Sequence, residues 1–319
     1  MNSIHKVITG IPSCAGSRET GEAAGLAALA GIVQRSRLVV LTGAGCSTES
    51  GIPDYRDDAG AWKRKPPMPY QEFIASHAAR QRYWARAMIG WRALCGARPN
   101  RAHHALARLE QAGHIRCLIT QNVDGLHQRA GSRQVVDLHG RIDAVECLRC
   151  GRTGSRADIQ TRLEHLNPQW GGLDARIAPD GDAWLEHVDF TAFELVNCEY
   201  CAGLLKPAVV FFGESVPRDR VLRAETAVQE ADAMLVVGSS LMVYSGYRFV
   251  RAAHERGLPL ASVNLGRSRA DALFSLKIES SCGSVLERLE ACIAASGRSQ
   301  SDAGARLCAA SQRHSNSLV

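Results

Sequence analysis

The chain has 319 residues, of which 45% are hydrophobic and 22% are charged, a composition typical of a globular protein rather than a disordered or fibrous one. Its sequence has no apolar run near the roughly 18–20 residues that span a bilayer, and residues 1–17 hold only a broken apolar stretch, which does not favour a secretory signal. We therefore expect neither a membrane protein nor a secreted disulfide scaffold. The 11 cysteines, an odd number, are expected to be reduced thiols or metal ligands.

The net charge of +6 is concentrated in one segment. Residues 61–103 contain nine basic side chains and a single acidic one, Glu72. Such a basic face suits an anionic ligand, an acidic substrate or nucleic acid. The alternative is a solvated helix surface.

Short β-branched runs that end in a glycine or polar cluster predict strands over residues 37–42, 115–120, 134–138, 233–237, 260–263 and 276–278. Apolar runs of this kind are typical of strands buried on both faces of a parallel sheet. Helices are predicted over residues 103–112, closed by Gly113, and 218–230, opened by Pro217. The alternation of strands and helices predicts an α/β fold with an open, doubly wound parallel sheet.

Two segments interrupt this alternation and are interpreted as insertions that build a second, smaller domain. Residues 61–103 carry a helical pattern with aromatic and apolar side chains along one side, and residues 144–203 hold two cysteine pairs in a polar stretch. The remaining boundaries predict a sheet domain and two tails, of which the Ala/Ser-rich second is expected to be disordered. The sheet domain comprises residues 21–60, 104–143 and 204–290, and the tails are residues 1–20 and 291–319.

Ligands of doubly wound sheets bind outside the carboxyl ends of the strands. That edge is predicted to carry residues 43–47, 121–124, 139, 238–240 and 264. Gly43 and Gly45 follow a strand, and if a helix begins there its free amides would favour a pyrophosphate; the alternative is a tight turn. Thr48 stands where the dinucleotide fingerprint has its third glycine, and no acidic residue follows a second strand, so a standard dehydrogenase arrangement is not supported.

Polar residues on the same edge are candidates for catalysis. His139 ends a strand and is a candidate general base, although a structural histidine is the alternative. Asn122 and Asp124 lie beside it but are also common turn residues. A helix start at Cys46 would lower its thiol pKa, yet a small buried filler is the preferred interpretation.

Two CxxC pairs, Cys147/Cys150 and Cys198/Cys201, predict one structural zinc site with four thiolate ligands. The 47 residues between Cys150 and Cys198 exceed the ~15–20 of common zinc ribbons. The longer loop costs only about 0.9 kcal/mol in closure entropy, whereas structural zinc contributes roughly 10–16 kcal/mol in small peptides. The alternative, a redox pair, is disfavoured by the presence of two matching pairs.

Together these stretches resemble the sirtuin family of NAD-dependent protein deacylases. The matching segments cover about residues 25–290 and include the two CxxC pairs, GAGCSTESGIPDYR (43–56), TQNVDGLHQRAG (120–131), LHG (138–140), KPAVVFFGE (206–214), GSSL (238–241) and VNLG (263–266). The segments RQRYWARAMIGW (80–91) and VYSGYRF (243–249) are similar to the class II branch found in bacteria and mitochondria. The resemblance implies a Rossmann-like domain and a smaller domain made of a zinc module and a helical module.

The resemblance also implies roles for individual residues. His139 and Asn122 would be catalytic, with Ile52, Asn122 and Asp124 forming the nicotinamide pocket. The other residues expected at NAD are Gly43, Ala44, Gly45, Ser47, Pro53, Asp54, Tyr55, Arg56, Gln121, Gly238, Ser239, Ser240, Asn264, Leu265, Gly266 and Cys282. The acyl-lysine peptide would pair with a strand containing Val210, Phe212, Gly213 and Glu214.

The implied reaction cleaves nicotinamide from NAD and transfers the acyl group to ADP-ribose, which leaves free lysine and O-acyl-ADP-ribose. The acyl oxygen is held beside the anomeric carbon, and His139 deprotonates a ribose hydroxyl that attacks the resulting imidate. Tyr55 stands where many sirtuins have Phe. We still expect enzymatic activity, but at a lower level. Tyr83 and Arg86 have the Tyr-x-x-Arg spacing of the desuccinylating branch, so we hypothesise that Arg86 admits acidic acyl groups; a surface arginine beside a packed tyrosine is the alternative.

Rival functions are mono-ADP-ribosyl transfer to protein, a zinc-ribbon nucleic-acid-binding protein and an NAD-binding scaffold without turnover. Nucleic-acid binding leaves the strand-edge residues unexplained. The expected partners are acyl-lysine proteins, with neither membrane nor nucleic acid, and the oligomeric state stays open. A bacterial cytoplasm is the expected location, with a mitochondrial matrix as the alternative because residues 1–18 contain no acid.

Overall fold

The computed structural model describes residues 21–63, 66–173, 175–178, 180–185 and 188–296. Its strands are β1 Leu38–Thr42, β2 Ile115–Thr120, β3 Val135–Asp137, β4 Gly140–Cys147, β5 Thr153–Ser155, β6 Leu205–Val209, β7 Ala233–Val237, β8 Leu260–Val263 and β9 Leu276–Ile278. Its helices are α1 Glu22–Arg35, α2 Tyr70–Ala75, α3 His77–Gly96, α4 Arg101–Gln111, α5 Leu126–Ala130, α6 Arg156–Leu166, α7 Arg218–Gln229 and α8 Tyr244–Glu255. Residues 282–296 form a further helix.

Six parallel strands form the main sheet in the order β3-β2-β1-β7-β8-β9. All five residues of β1 and of β7 are buried. Along β1, Leu38 and Val40 pack into the apolar layer under α1 and α4, whereas Val39 and Leu41 pack into the layer under α7 and α8. Helices therefore cover both faces, which confirms the doubly wound α/β fold.

The two insertions share a second apolar core. Phe73 and Trp84 from the first insertion pack with Leu163 and Phe193 from the second. A three-stranded antiparallel sheet, in the order β5-β4-β6, supports this core. Because β4 begins at Gly140 and β6 lies at Leu205–Val209, this sheet extends beyond both limits of residues 144–203.

The structure corrects several local predictions. After β1 the chain forms two 3-10 turns, Ala44–Cys46 and Thr48–Ser50, and no α-helix begins there. Residues 291–296, expected to belong to a disordered tail, continue a helix whose Leu289 and Ile293 are buried against the main core. The rest of that tail and residues 1–20 lie outside the described residues. Helices α1 and α8 were not predicted.

The basic segment is neutralised locally by acids, all of which except Glu72 lie outside it. Arg82 pairs with Glu72, Arg86 with Asp182, Arg92 with Glu164, Arg101 with Glu49 and Glu287, and Lys63 with Asp54. These pairings leave little uncompensated positive charge on the described part of residues 61–103, which favours the solvated-surface alternative over a nucleic-acid-binding face. Among the described residues, no helix is both long enough and apolar enough to cross a bilayer.

Candidate active site

A cavity of about 670 Å³ opens at the carboxyl ends of β1, β2, β7 and β8, between the main sheet and the smaller core. The sequence predictions converge on this cavity because the carboxyl ends of parallel strands meet at one edge. Its walls contain Gly43, Ala44, Gly45, Ser47, Ile52, Asp54, Tyr55, Arg56, Tyr83, Gln121, Asn122, Asp124, His139, Val210, Phe212, Gly238, Ser239, Ser240, Asn264, Leu265 and Cys282.

Five predicted site residues are not on the wall: Pro53, Arg86, Gly213, Glu214 and Gly266. The segment after β6 is not a strand of the three-stranded sheet. There the Glu214 carboxylate accepts hydrogen bonds from the Phe211 amide at 2.8 Å and from the Lys206 ammonium at 3.3 Å, so it braces the turn.

Gly43 and Gly45 pack closely against Gly238 of the neighbouring strand end. Gly238 has a φ of +60°, and a Cβ there would lie 2.2 Å from the Cys46 amide nitrogen. The amides of Gly43, Gly45, Cys46 and Ser47 donate to carbonyl oxygens within the protein. The loop therefore offers a surface without side chains for close approach of a ligand, and the expectation of free helix-start amides was wrong because no α-helix begins there.

Asn122, Ser47 and Asp124 form a hydrogen-bonded set at the base of the cavity. The Asn122 side-chain amide donates to the Gly43 carbonyl and to Ser47 Oγ, both at 3.0 Å. Ser47 Oγ in turn donates to Asp124 Oδ2 at 2.7 Å. Burial raises the pKa of Asp124, against hydrogen bonds from the Leu126 amide and Ser47 that lower it. These hydrogen bonds hold the Asp124 side chain on the cavity wall.

His139 lies between β3 and β4, and its hydrogen bonds fix the position of its Nδ1 proton. Its Nδ1 is 2.9 Å from the carbonyl oxygen of Gln121, which only accepts, so Nδ1 bears the proton and Nε2 the lone pair. Nε2 lies 2.7 Å from Ser245 Oγ, so that hydroxyl donates to it. In its neutral form, this imidazole can therefore accept a proton at Nε2.

Aromatic rings and an arginine form one part of the cavity wall. The rings of Tyr55, Trp62 and Phe212 meet edge to face, with centroids 5.7–6.4 Å apart. Arg56 lies over Trp62 at 4.0 Å and donates through Nη1 to the Gly60 carbonyl at 2.7 Å. Its buried Nη2 has no hydrogen-bond partner among the described residues. A buried guanidinium nitrogen on a cavity wall is suited to an anionic ligand group such as phosphate.

Tyr83 and Arg86, which the sequence predicts to act as a pair, make separate contacts in the structure. Tyr83 packs its ring against Phe211 on the cavity wall, at 5.2 Å between centroids. The Arg86 guanidinium instead donates to the Ala183 carbonyl at 2.8 Å and pairs with Asp182 at 3.4 Å. An acyl carboxylate would have to compete with Asp182 for this arginine, and the role of Arg86 stays a prediction.

Sequence reasoning missed residues whose contribution depends on distant segments. Ser245, at the start of α8, contacts His139 across 106 positions of sequence. The Glu49 carboxylate accepts hydrogen bonds from Arg101 and the Gly283 amide, each at 3.1 Å, and from the Ser281 hydroxyl. It thereby holds the loop that places Cys282 on the cavity wall. The YSG segment that opens α8 was the one available signal for Ser245.

The four predicted zinc ligands converge in the smaller part of the structure. The Sγ atoms of Cys147, Cys150, Cys198 and Cys201 all lie within 4.8 Å of one another, with 3.5 Å between Cys147 and Cys201 and 3.8 Å between Cys150 and Cys198. Tetrahedral zinc with bonds of about 2.3 Å places its sulfurs about 3.8 Å apart. The cluster therefore fits one Zn²⁺ with no open coordination position, as predicted.

Comparison with known proteins identifies the family. The Sir2 family model matches residues 43–245. This chain belongs to the Sir2 family. The sirtuin is 60% identical over 262 residues to a protein of Bordetella bronchiseptica named NAD-dependent protein deacetylase, an alignment that covers 82% of this chain and 96% of the relative.

Two further relatives extend the comparison. The sirtuin is 47% identical over 264 residues to the human NAD-dependent protein lipoamidase sirtuin-4, mitochondrial, covering 82% of this chain and 84% of the relative. A solved structure titled Sir2-p53 peptide-NAD+ superposes with a TM-score of 0.63 at 32% identity, covering 81% of this chain and 93% of that one. Both the predicted family and the predicted fold are confirmed.

Proposed function

We propose that this sirtuin is an NAD-dependent protein-lysine deacetylase that consumes NAD and an acetyl-lysine protein and produces free lysine, nicotinamide and O-acetyl-ADP-ribose. The observation that carries the proposal is that His139, the Asn122–Ser47–Asp124 set and the glycine surface all line one cavity. Relatives up to 60% identical are named NAD-dependent protein deacetylases, and a structural neighbour was solved with a peptide and NAD.

Different residues on the cavity wall bind different parts of NAD. The bare glycine surface at Gly43 and Gly45, with Ser239 and Ser240 opposite, receives the pyrophosphate. Arg56 supplies a guanidinium whose buried Nη2 has no hydrogen-bond partner among the described residues. Asn264, Leu265 and Cys282 line the adenosine end. The nicotinamide group lies against Ile52 and Asn122, and the Asp124 carboxylate accepts a hydrogen bond from its carboxamide.

His139 is the general base. Its Nδ1 proton is held by the Gln121 carbonyl, so a ribose hydroxyl can deliver its proton only to Nε2, after Ser245 gives up its own hydrogen bond there. The aromatic rings of Tyr55, Trp62 and Phe212 exclude water from their side of the cavity. Exclusion of water strengthens each polar contact inside.

The four-cysteine zinc is structural. It ties the loop after β4 to the loop before β6, which keeps both strands beside the cavity. Residues 61–103 and 144–203, which share one core, form the smaller domain of this proposal, and the main sheet forms the NAD-binding domain.

Mass spectrometry of a single reaction tests the proposal. Purified protein is incubated with NAD and an acetyl-lysine peptide, and we expect deacetylated peptide and O-acetyl-ADP-ribose in equal amounts. A mass increase on an added protein, with the acetyl-peptide intact, would instead indicate mono-ADP-ribosyl transfer. Binding of NAD without any product would indicate a scaffold without turnover.

The acyl chain is a separate question. Acetyl is the proposed substrate group because the predicted carboxylate reader, Arg86, is engaged by Asp182 and lies off the cavity wall. The alternative is preferential removal of longer or acidic acyl groups, and a panel of acetyl-, lipoyl- and glutaryl-lysine peptides separates the two.

The proposed partners are acyl-lysine proteins. The proposed location is a bacterial cytoplasm, because several relatives come from bacteria.

A further inference from the structure

A second group of metal-binding side chains lies behind the cavity wall. Cys46, His103 and His127 are 1%, 0% and 1% exposed, and one potential ligand atom from each lies within 4.8 Å of the others. They come from three different elements: the turn after β1, the first turn of α4, and α5. The two imidazole rings are 4.7 Å apart between centroids.

The hydrogen bonds of His127 leave one of its nitrogens with a lone pair and no partner. Its Nε2 lies 2.9 Å from Thr42 Oγ1, and the Thr42 hydroxyl donates its own proton to Thr120 Oγ1 at 2.9 Å. Thr42 must therefore accept from Nε2–H, which leaves the lone pair on Nδ1. Nδ1 is buried and has no hydrogen-bond partner among the described residues. A buried polar atom in this state requires a physical explanation.

His103 offers a second ring nitrogen in the same place. Its Nδ1 accepts a hydrogen bond from the Asn100 backbone amide at 3.3 Å and lies 3.0 Å from the Asn100 side-chain oxygen, which is an acceptor because the nitrogen of that side chain donates to the Cys46 carbonyl. In the tautomer that donates from Nδ1 to this oxygen, the lone pair on Nε2 is available to a metal. The Ser47 hydroxyl is 3.5 Å away, but it gives its proton to Asp124 and so does not satisfy Nε2.

We propose that Cys46, His103 and His127 form a second zinc site, distinct from the four-cysteine site. Two neutral imidazole nitrogens and one thiolate are a donor set that Zn²⁺ takes in proteins, and hard cations such as Mg²⁺ and Ca²⁺ do not prefer it. Binding removes one proton, that of the Cys46 thiol, to solvent for each ion bound. The three side chains leave a fourth position for water or another oxygen ligand.

Zinc counting tests the site without reference to activity. Protein is produced in zinc-supplemented medium, or incubated with Zn²⁺, then desalted, and zinc is measured per chain by mass spectrometry of the metal. We expect two ions in the wild type and one in Cys46→Ala. The matched control is Cys117→Ala, because Cys117 is a free, partly buried thiol that belongs to neither cluster, and it should retain two.

Cys198→Ser is the complementary variant: it should lose the zinc ion of the four-cysteine site and keep the ion of the proposed second site. One ion in the wild type, or equal counts in Cys46→Ala and Cys117→Ala, overturns the proposal. If Cys46→Ala does not fold, Cys46→Ser and the count in the wild type decide the matter, because a single wild-type ion already excludes the second site.

A consequence for regulation rests on the proposed function. His103 neighbours Ser47, which orders Asp124 and Asn122, so an ion held by His103 disturbs the nicotinamide pocket. We expect added Zn²⁺ to slow NAD turnover in the wild type, and Cys46→Ala to resist this inhibition when each is compared with its own zinc-free rate. Equal inhibition of both refutes this consequence. Absence of turnover in every sample refutes the deacetylase function and leaves the zinc count intact.

Discussion

Replacing His139 with asparagine removes the proposed general base but can keep the hydrogen bond that orients the side chain. In His139→Asn the new side-chain amide can still donate to the Gln121 carbonyl, which Nδ1 of the histidine contacts at 2.9 Å, so at most about 0.5–1.5 kcal/mol of stability is at risk. The lone pair of Nε2 is lost completely. General-base catalysis contributes about 10²–10⁴ in rate, or about 2.7–5.5 kcal/mol of barrier. Loss of the base therefore outweighs loss of the contact.

The assay follows two products of the same reaction. Deacetylated peptide is expected to fall by about 10²–10⁴, whereas exchange of labelled nicotinamide into NAD persists, because cleavage of nicotinamide precedes the step that needs the base. The control is Ser245→Ala, which removes the 2.7 Å contact at Nε2 but not the base, and should cost no more than about tenfold. Deacetylation by His139→Asn at more than a tenth of the wild-type rate would refute the assignment of His139.

Three further substitutions test the cavity wall and its surroundings. Burial raises the pKa of Asp124, so as the pH falls its carboxylate takes up a proton earlier than the carboxylate of an exposed aspartate does. On this acidic side, KM for NAD should rise in the wild type but stay constant in Asp124→Asn. Gly238→Ala, whose Cβ would lie 2.2 Å from the Cys46 amide at a φ of +60°, should lower the free energy of unfolding by at least about 1–3 kcal/mol and weaken NAD binding in calorimetry. Arg86→Ala leaves buried Asp182 unpaired, so Tm should fall while the ranking of acetyl-, lipoyl- and glutaryl-peptides stays unchanged; a selective loss of glutaryl-peptide hydrolysis would show that Arg86 reads acyl carboxylates.

Much of the candidate site could be predicted because its residues are adjacent to strands that are recognisable in the sequence. A run such as Leu38–Thr42 is apolar almost throughout since both faces of the strand are buried, and the polar residues that stop such runs must then meet at one sheet edge. The four cysteines were predictable for a similar reason: the spacing within each CxxC pair is local, and a closed four-thiolate zinc site needs two such pairs.

What the sequence by itself determined was therefore the set of polar residues at the strand ends, the donor set of the zinc and the position of His139. Only the tertiary structure decided which side chain meets which across long separations: Ser245 at His139, Asp182 at Arg86, and Cys46 beside His103 and His127. Local patterns encode burial through a period of two or 3.6 residues. Contacts between side chains far apart in the chain follow no such period, because they depend on how whole elements pack, and this packing also turned an apparent basic face into a set of local ion pairs.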